Sequence, residues 1–513
     1  MHLWHCVCCD NIDNGMQMAN HFDGPDKCDD GAFMQIRFRD LVPQDHPVRY
    51  IDRFIDGIDV APFESRYKVG SGKKGRAPKD IHLMLKVILY ALYCRIYSAR
   101  KIDYSTEHYG DFWFFTHGQR VSHDKISDFI NIHGDEIHPI FLETINLASK
   151  NDLLDFSALY EDGFKVKANA SNKRCRTLDG LNKEEKKLSE NLDAALAKLQ
   201  LAEDDEAAIE DKKKLTNTLS KIASLREQLQ KRIAERSVNR LPSKVKHIEE
   251  NSQINLTDSD AEMMKQKDRS NAVSYLKETA VDPKADIVMA SAISGHDDEI
   301  ALSLNVVQQA NENCENAGCR EKYDTAVADA GFTSFANCEA FENEGITLIG
   351  PTQNSEHQKR TPDPNRITMT YNKEENSVCC SMGQVLPFVR SYHSTQHDAD
   401  INIFKNPQAC VMCSRLKDCT GSKNGYRTVK LDARYDLQQK ALQRYLSEEG
   451  QKIYSKRSHC AETYQGDLKQ NGGFLHFLRR GIKKAGIDSV LLDIVWNLRR
   501  IFNAKGTAIV WSE

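Results

Sequence analysis

The sequence predicts an α/β protein, with a mixed sheet in its second half and an all-helical unit before it. Three observations predict this. At Leu154 the apolar pattern changes from a helical stripe to alternation. Between 158 and 350 the segments read strand, turn, strand, strand, helix, strand, helix, strand, the order of a mixed sheet with a meander before its crossovers. Between Gly180 and Pro242 there is neither Gly nor Pro, and Leu and Ile recur at helical spacing, which marks a helical hairpin or short coiled coil inserted after the first strand.

Bulk properties narrow the function classes. A chain of 513 residues is too long for one compact core, so two to four domains are expected. With 40% hydrophobic and 28% charged residues it reads as globular. The net charge of −4 excludes a protein whose whole surface grips nucleic acid, yet the charge is segregated. Residues 66–79 carry six basic residues and no acid, Lys73, Lys74 and Arg76 among them, while 203–206 is an acidic run. The 15 cysteines come without a signal peptide, so a reducing, cytoplasmic setting is expected and the thiols are unpaired or metal ligands. The apolar run 81–97 is broken by His82, Lys86 and Arg95 and reads as a buried helix, not a membrane span.

In chain order, residues 1–33 hold Cys6, Cys8, Cys9 and Cys28 without apolar periodicity and are expected to be an unstructured leader, with Met34 an alternative start. Residues 34–150 form the helical unit, with a basic Gly-rich linker at 70–76 and polar helix starts at 97–101 and 122–128 in a helix-turn-helix-like arrangement. Residues 151–513 form the sheet domain, with the helical hairpin at 172–250 and a polar, cysteine-containing insertion at 351–440. Strands are expected at 158–162, turning at Gly163, then at 164–167, 271–281, 286–294, 325–329 and 345–350. An amphipathic helix near 489–502 closes the chain.

Three acids stand out. Asp162 precedes Gly163 near a strand end, and read alone it is a turn residue. Asp329 lies where a buried strand gives way to a loop, and read alone it caps the helix that follows. Glu462 lies in the segment 454–469, which can run as one helix and places Glu462 and Lys469 on one face. Between 452 and 484 there are eight Lys and Arg against two acids, so Glu462 reads either as part of a surface ion network or as a metal-binding acid among phosphate-gripping neighbours. Only a fold could unite three acids so far apart, and the chemistry that uses three convergent carboxylates is two-metal phosphoryl transfer.

From Met34 onward the chain resembles a DDE transposase of a bacterial insertion sequence. The resemblance rests on 162–171 (DGFKVKANAS), 255–260 (NLTDSD), 328–331 (ADAG) and the set Tyr454, Arg457, Glu462 and Lys469. It implies a ribonuclease H-like catalytic domain in which Asp162, Asp329 and Glu462 carry two Mg²⁺ or Mn²⁺ ions. It implies that Tyr454, Arg457 and Lys469 contact DNA ends, assisted by the helical domain. The partners implied are double-stranded DNA, both terminal inverted repeats and target, and a second copy of the chain. The activity implied is cleavage at the ends followed by attack of the 3′-hydroxyl on target DNA, without ATP. A ribonuclease H-like nuclease or recombinase without strand transfer, and a decayed, binding-only transposase, are the alternatives. Two departures stand in this sequence. Phe164 replaces a Thr that often follows the Asp-Gly pair. Arg457 stands four residues clear of Glu462 where many relatives have three, a rotation of about 100° around a helix.

Basic residues at 66–79 and 452–484, including Lys483 and Lys484, are the expected DNA-contacting patches. Cys410 and Cys413 have the spacing of half a zinc knuckle, and Cys419 with Cys380 (or Cys379) would complete a candidate structural zinc site in a segment with little apolar core.

Overall fold

The computed structural model describes residues 37–511 apart from 41, 67–78, 202–205, 239, 297–298, 361–362, 364 and 396–397. The expected leader, with Cys6, Cys8, Cys9 and Cys28, and the basic residues Lys73, Lys74 and Arg76 lie outside the described residues.

The N-terminal third is helical, as α1 (Pro47–Asp56), α2 (Ala61–Ser65), α3 (Ile81–Tyr93), α4 (Ala99–His108), α5 (Gly110–Thr116), α6 (His123–Ile132) and α7 (Ile137–Lys150). Pro47 opens α1 where a missing N–H costs nothing, and Asp80 caps α3 by accepting the Leu83 N–H at 2.7 Å. The expected polar helix starts are the N-terminal turns of α4 and α6, preceded by Ser98 and Ser122.

The chain then runs through β1 (Leu159–Lys167), β2 (Cys175–Arg176), α8 (Leu178–Leu201), α9 (Glu206–Ser237), α10 (Pro242–Asn251), β3 (Ile254–Asn255), β4 (Glu262–Lys265), β5 (Asn271–Asp282), β6 (Ile287–Ser294), α11 (Glu299–Asn316), β7 (Thr325–Val327), α12 (Phe335–Asn343) and β8 (Thr347–Ile349), with β2 and β3 paired as a separate ribbon. The main sheet is ordered β4-β5-β1-β7-β8, with β6 also paired to β5. β1 is antiparallel to β5 and parallel to β7, and β7 is parallel to β8. The mixed sheet and its order of elements are those expected. One detail is not. β1 does not turn at Gly163: that residue pairs with Glu278 in mid-strand, because β5 is long enough to hold β1 along its whole length. The helical hairpin is present as α8 and α9, joined by a small core of Leu181, Ile222, Leu225, Leu229 and Ile233.

After α13 (Gln353–Arg360) the chain builds a second, five-stranded antiparallel sheet from β9 (Met369–Asn372), β10 (Ser377–Cys380), β11 (Val385–Ser394), β12 (Ala399–Lys405) and β13 (Thr428–Asp432). The short helices α14 (Pro407–Val411) and α15 (Leu416–Cys419) lie between β12 and β13. The sequence pattern did not foresee this sheet. Its core is only Val378, Leu386, Phe404 and Val429, and β11 leaves most of its residues exposed, so no apolar alternation marks it. The chain ends with α16 (Tyr435–Leu446), α17 (Glu448–Ser455), α18 (Arg457–Gly466), a π-helical turn at Asp467–Asn471 and α19 (Ile482–Lys505).

The final helix ties the molecule together. Leu491, Val495, Leu498 and Phe502 of α19 belong to one apolar core that includes Ile51, Leu85 and Ile145 of the N-terminal helices and Tyr275 and Val288 of the sheet. α19 therefore packs on both α7 and β6. A fully buried ion pair crosses this junction, with Lys277 Nζ on β5 at 2.8 and 2.9 Å from the Asp493 carboxylate oxygens. No helix among the described residues is long and apolar enough to cross a membrane.

Candidate active site

The site grows from the register of two parallel strands. Tyr160 of β1 is level with Val327 of β7, so Asp162, still within β1, and Asp329, just past the end of β7, each lie two residues beyond that pair. Because residues i and i+2 share a face, Asp162 lies on the side of Tyr160. That side carries the small core of Ala158, Tyr160, Val327, Ile349, Tyr445 and Cys460, against which α16, α17 and α18 pack. Glu161 points the other way, fully buried, and accepts a 2.6 Å hydrogen bond from Ser303 of α11.

The basic segment 454–469 is not one helix. It breaks at Lys456, between α17 and α18. In an unbroken helix the Ile453 carbonyl would accept from the Arg457 N–H. It accepts instead from the Lys456 N–H at 3.2 Å and from the Tyr160 hydroxyl at 3.0 Å. A sharp corner upstream assists. Gly450 lies so close to the Arg444 carbonyl that an added Cβ would sit 1.8 Å from it, which only glycine tolerates. At the other end Asp467 receives Arg95 from the helical unit and Arg499 from α19, each at 2.8 Å, where the backbone widens to a π turn. The shared face expected for Glu462 and Lys469 on one α-helix is thus interrupted, since Lys469 lies inside that turn.

The break aims Arg457 at the sheet. Its Nη2 donates to Asp162 Oδ1 at 2.9 Å and lies 3.8 Å from Asp329 Oδ2. The second Asp162 oxygen accepts from Gln465 Nε2 at 2.8 Å, and the Gln465 carbonyl oxygen accepts from Lys267 Nζ at 3.3 Å. Asp329 Oδ1 accepts the Gly331 N–H at 2.8 Å. Burial pushes the Asp162 carboxyl up to about 6; Arg457 and Lys267 pull against that, and the charges of Asp329 and Glu462 add to it. Both other acids are therefore felt at Asp162. They are not closed into a ligand shell. Among the described residues no three or more His, Cys, Asp or Glu side chains stand in place to hold a metal ion. Asp329 remains 43% exposed, Glu462 is exposed on α18, and a guanidinium lies across the two aspartates.

The basic residues divide by environment. Lys469 is half-buried over the Phe164 ring, 5.0 Å from its centroid, and burial with the nearby Lys267 pushes its ammonium down to about 8. Phe164, which departs from the Thr that often follows the Asp-Gly pair, thus packs against Lys469. Tyr454, at the end of α17, packs edge-on against Tyr445 with centroids 4.9 Å apart. Lys483 is exposed and pairs with Asp135 at 2.9 Å, and Lys484 is exposed on the same first turn of α19. Sequence reasoning missed Lys267 and Gln465. Gln465 was visible at three residues beyond Glu462, but Lys267, in the β4–β5 turn, carries no local signal.

Comparison with known families matches two stretches of the chain, of which the second contains Glu462 and neither contains Asp162 or Asp329. Residues 36–131 match the family model described as Transposase domain (DUF772), and residues 379–502 match that of the Transposase DDE domain. No curated protein matches the chain. The resemblance read from the sequence holds, and the two matches indicate a transposase.

Proposed function

We propose that this transposase cleaves DNA at the ends of its element and joins the freed 3′-hydroxyl to target DNA, with Asp162, Asp329 and Glu462 as its catalytic carboxylates. One observation carries the proposal: Asp162 on β1 and Asp329, two residues past the end of the parallel strand β7, are both reached by one cation, Arg457. The strand order β6-β5-β1-β7-β8, antiparallel to β1 and parallel beyond it, supports a ribonuclease H-like sheet.

The donor set fits Mg²⁺ or Mn²⁺. All three side chains offer hard carboxylate oxygens, and Asp162, whose carboxyl is raised chiefly by burial and further by the charges of Asp329 and Glu462, is a buried carboxylate that a cation would favour. Asp162, Asp329 and Glu462 would hold the ions. Two such ions, when bound, supply an activated water and stabilise the leaving oxygen in phosphodiester cleavage. The chain's own residues do the rest. Gln465 orients Asp162 by holding one of its oxygens, so the carboxylate keeps one rotamer. Lys469 and Lys267, beside Asp162, supply positive charge where a scissile phosphate would lie. Arg457 would be free to grip a DNA backbone phosphate if other cations took its place on the aspartates. Lys483 and Lys484 extend the basic surface, and two copies of the chain would hold the two ends.

The test uses DNA carrying the inverted repeats that flank the reading frame. Asp329→Asn should abolish Mg²⁺-dependent cleavage and leave end binding within a few fold. Joined products with a target plasmid are expected from the wild type. Cleavage without joining would assign a nuclease, and binding without cleavage a decayed enzyme; either result overturns the proposal.

A further inference from the structure

Four cysteines of the second sheet, outside the acidic site, converge on one cavity. Cys380, Cys410, Cys413 and Cys419 all line a space of about 20 Å³, the size of a single ion or water. They arrive from three separate pieces of backbone. Cys380 ends β10 and enters a tight turn in which its carbonyl accepts the Gly383 N–H at 2.8 Å and its N–H donates to the Gln384 carbonyl at 3.0 Å. Gly383 has φ +75°, a conformation that favours glycine. Cys410 lies in α14, capped by the Asn406 side chain, and its carbonyl accepts the Cys413 N–H at 3.0 Å, so one turn offers two sulfurs. Cys419 ends α15.

From this convergence we infer that the chain binds one structural zinc ion, or a metal of the same thiophilic class, through Cys380, Cys410, Cys413 and Cys419.

Two further observations support the site. Arg415 and Arg427 also line the cavity, and the Arg427 guanidinium donates to the Cys419 carbonyl at 3.0 Å. A divalent ion held by four thiolates carries two net negative charges, and these guanidiniums offset them. Lastly, the sheet's core is four residues, Val378, Leu386, Phe404 and Val429, too small to hold five strands and two short helices by burial alone.

As thiols the four side chains do not close into a ligand shell. Neutral thiols have nothing to draw them together, whereas a bound ion with Zn–S bonds of about 2.3 Å would. Soft sulfur donors select zinc over the hard cations that suit the carboxylates. The geometry also discriminates between the adjacent cysteines. Cys379 points to the other face of β10 and its Sγ lies 3.6 Å from the Cys380 carbonyl oxygen. Cys380, not Cys379, is the ligand.

The experiment measures metal in the full-length chain. The purified wild type should carry about one zinc per chain by mass spectrometry. After exchange to Co²⁺ it should show the thiolate-to-cobalt charge-transfer and strong visible bands of a four-sulfur tetrahedral site. Cys413→Ser and Cys380→Ser should lose most of the metal or shift the cobalt spectrum, and Cys379→Ser should retain both. Hydrogen exchange after chelation should rise within 366–432 and stay unchanged in α3 and α7. A wild-type chain that carries no zinc and gives no thiolate–cobalt band overturns the site whatever the variants do. Equal metal loss in Cys379→Ser and Cys380→Ser overturns the ligand assignment.

Discussion

Arg457 Nη2 donates to Asp162 Oδ1 at 2.9 Å, and the same nitrogen lies 3.8 Å from Asp329 Oδ2, so one guanidinium stands where the proposed chemistry needs metal ions. On the proposed function, cation and metal would compete for the same carboxylates. A charge-assisted hydrogen bond contributes about 1.5–3 kcal/mol, equivalent to tenfold or more in affinity. Arg457→Gln is expected to bind Mn²⁺ about tenfold more tightly than the wild type in the absence of DNA, while end cleavage falls. Calorimetric titration with Mn²⁺ checks this, and unchanged or weaker binding would remove the competition.

The same site makes a metal-free prediction. Burial raises the Asp162 carboxyl from 3.8 to about 6 in the folded chain. A carboxyl raised on folding favours the fold below its unfolded value and loses that contribution as pH rises through about 6. At about 1.4 kcal/mol per tenfold change in proton affinity, the loss is on the order of 3 kcal/mol between pH 4 and 7. In chelator, Asp162→Asn should therefore become the more stable protein above pH 6, and Mg²⁺ should restore only the wild type. Thermal melts across pH 4–8 measure it; parallel pH profiles would show that the site is better solvated than this.

How much of this was legible in the chain depended on how local each signal was. β5, β6, β7, β8 and the α8–α9 hairpin announce themselves because their apolar residues repeat within one element. Asp162 and Asp329 could be picked out as residues beside strand ends, but their relative placement depends on the β1–β7 register, which no spacing encodes. The break at Lys456 was invisible because its cause, the Tyr160 hydroxyl, comes from 293 residues away. The second sheet carries no such signal because β11 exposes most of its residues, while Cys410 and Cys413 beside it are marked by their spacing.

The junction of the helical unit, the sheet and the site rests on Lys277 and Asp493. Both are buried, and Asp493 also accepts from the hydroxyls of Ser291 and Tyr464, the latter two residues past Glu462 on α18. Burial drives the Lys277 ammonium down while Asp493 holds its proton on. Removing one partner strands a buried charge, at a cost of about 3–5 kcal/mol, whereas replacing both by apolar residues of like volume is often near neutral. Asp493→Ala should lower the melting temperature markedly and reduce cleavage by displacing α18. Lys277→Met with Asp493→Leu should recover most of the stability. A single variant as stable as the wild type would mean that water reaches the pair.

Lys469 gives the clearest pH signature for DNA binding. Burial over Phe164 and the neighbouring Lys267 hold its ammonium at about 8, against the pull of Asp162. At pH 7 it is mostly charged and at pH 9 mostly neutral. A DNA phosphate beside it would restore the proton, so binding takes up a proton in this range. The linkage limits the effect to about a tenfold loss of end affinity between pH 7 and 9. Stability moves in the opposite direction: a lysine depressed on folding makes the unfolded chain the better proton binder, so this group favours the fold more as pH rises. Weaker binding at pH 9 would thus not arise from unfolding at this residue. Lys469→Arg keeps its charge throughout and should flatten the profile, and Lys469→Met should bind at pH 7 as the wild type does at pH 9. Fluorescence anisotropy with end DNA at constant ionic strength measures all three. A wild-type profile flat from pH 7 to 9, or one that Lys469→Arg leaves unchanged, would remove Lys469 from the DNA contact.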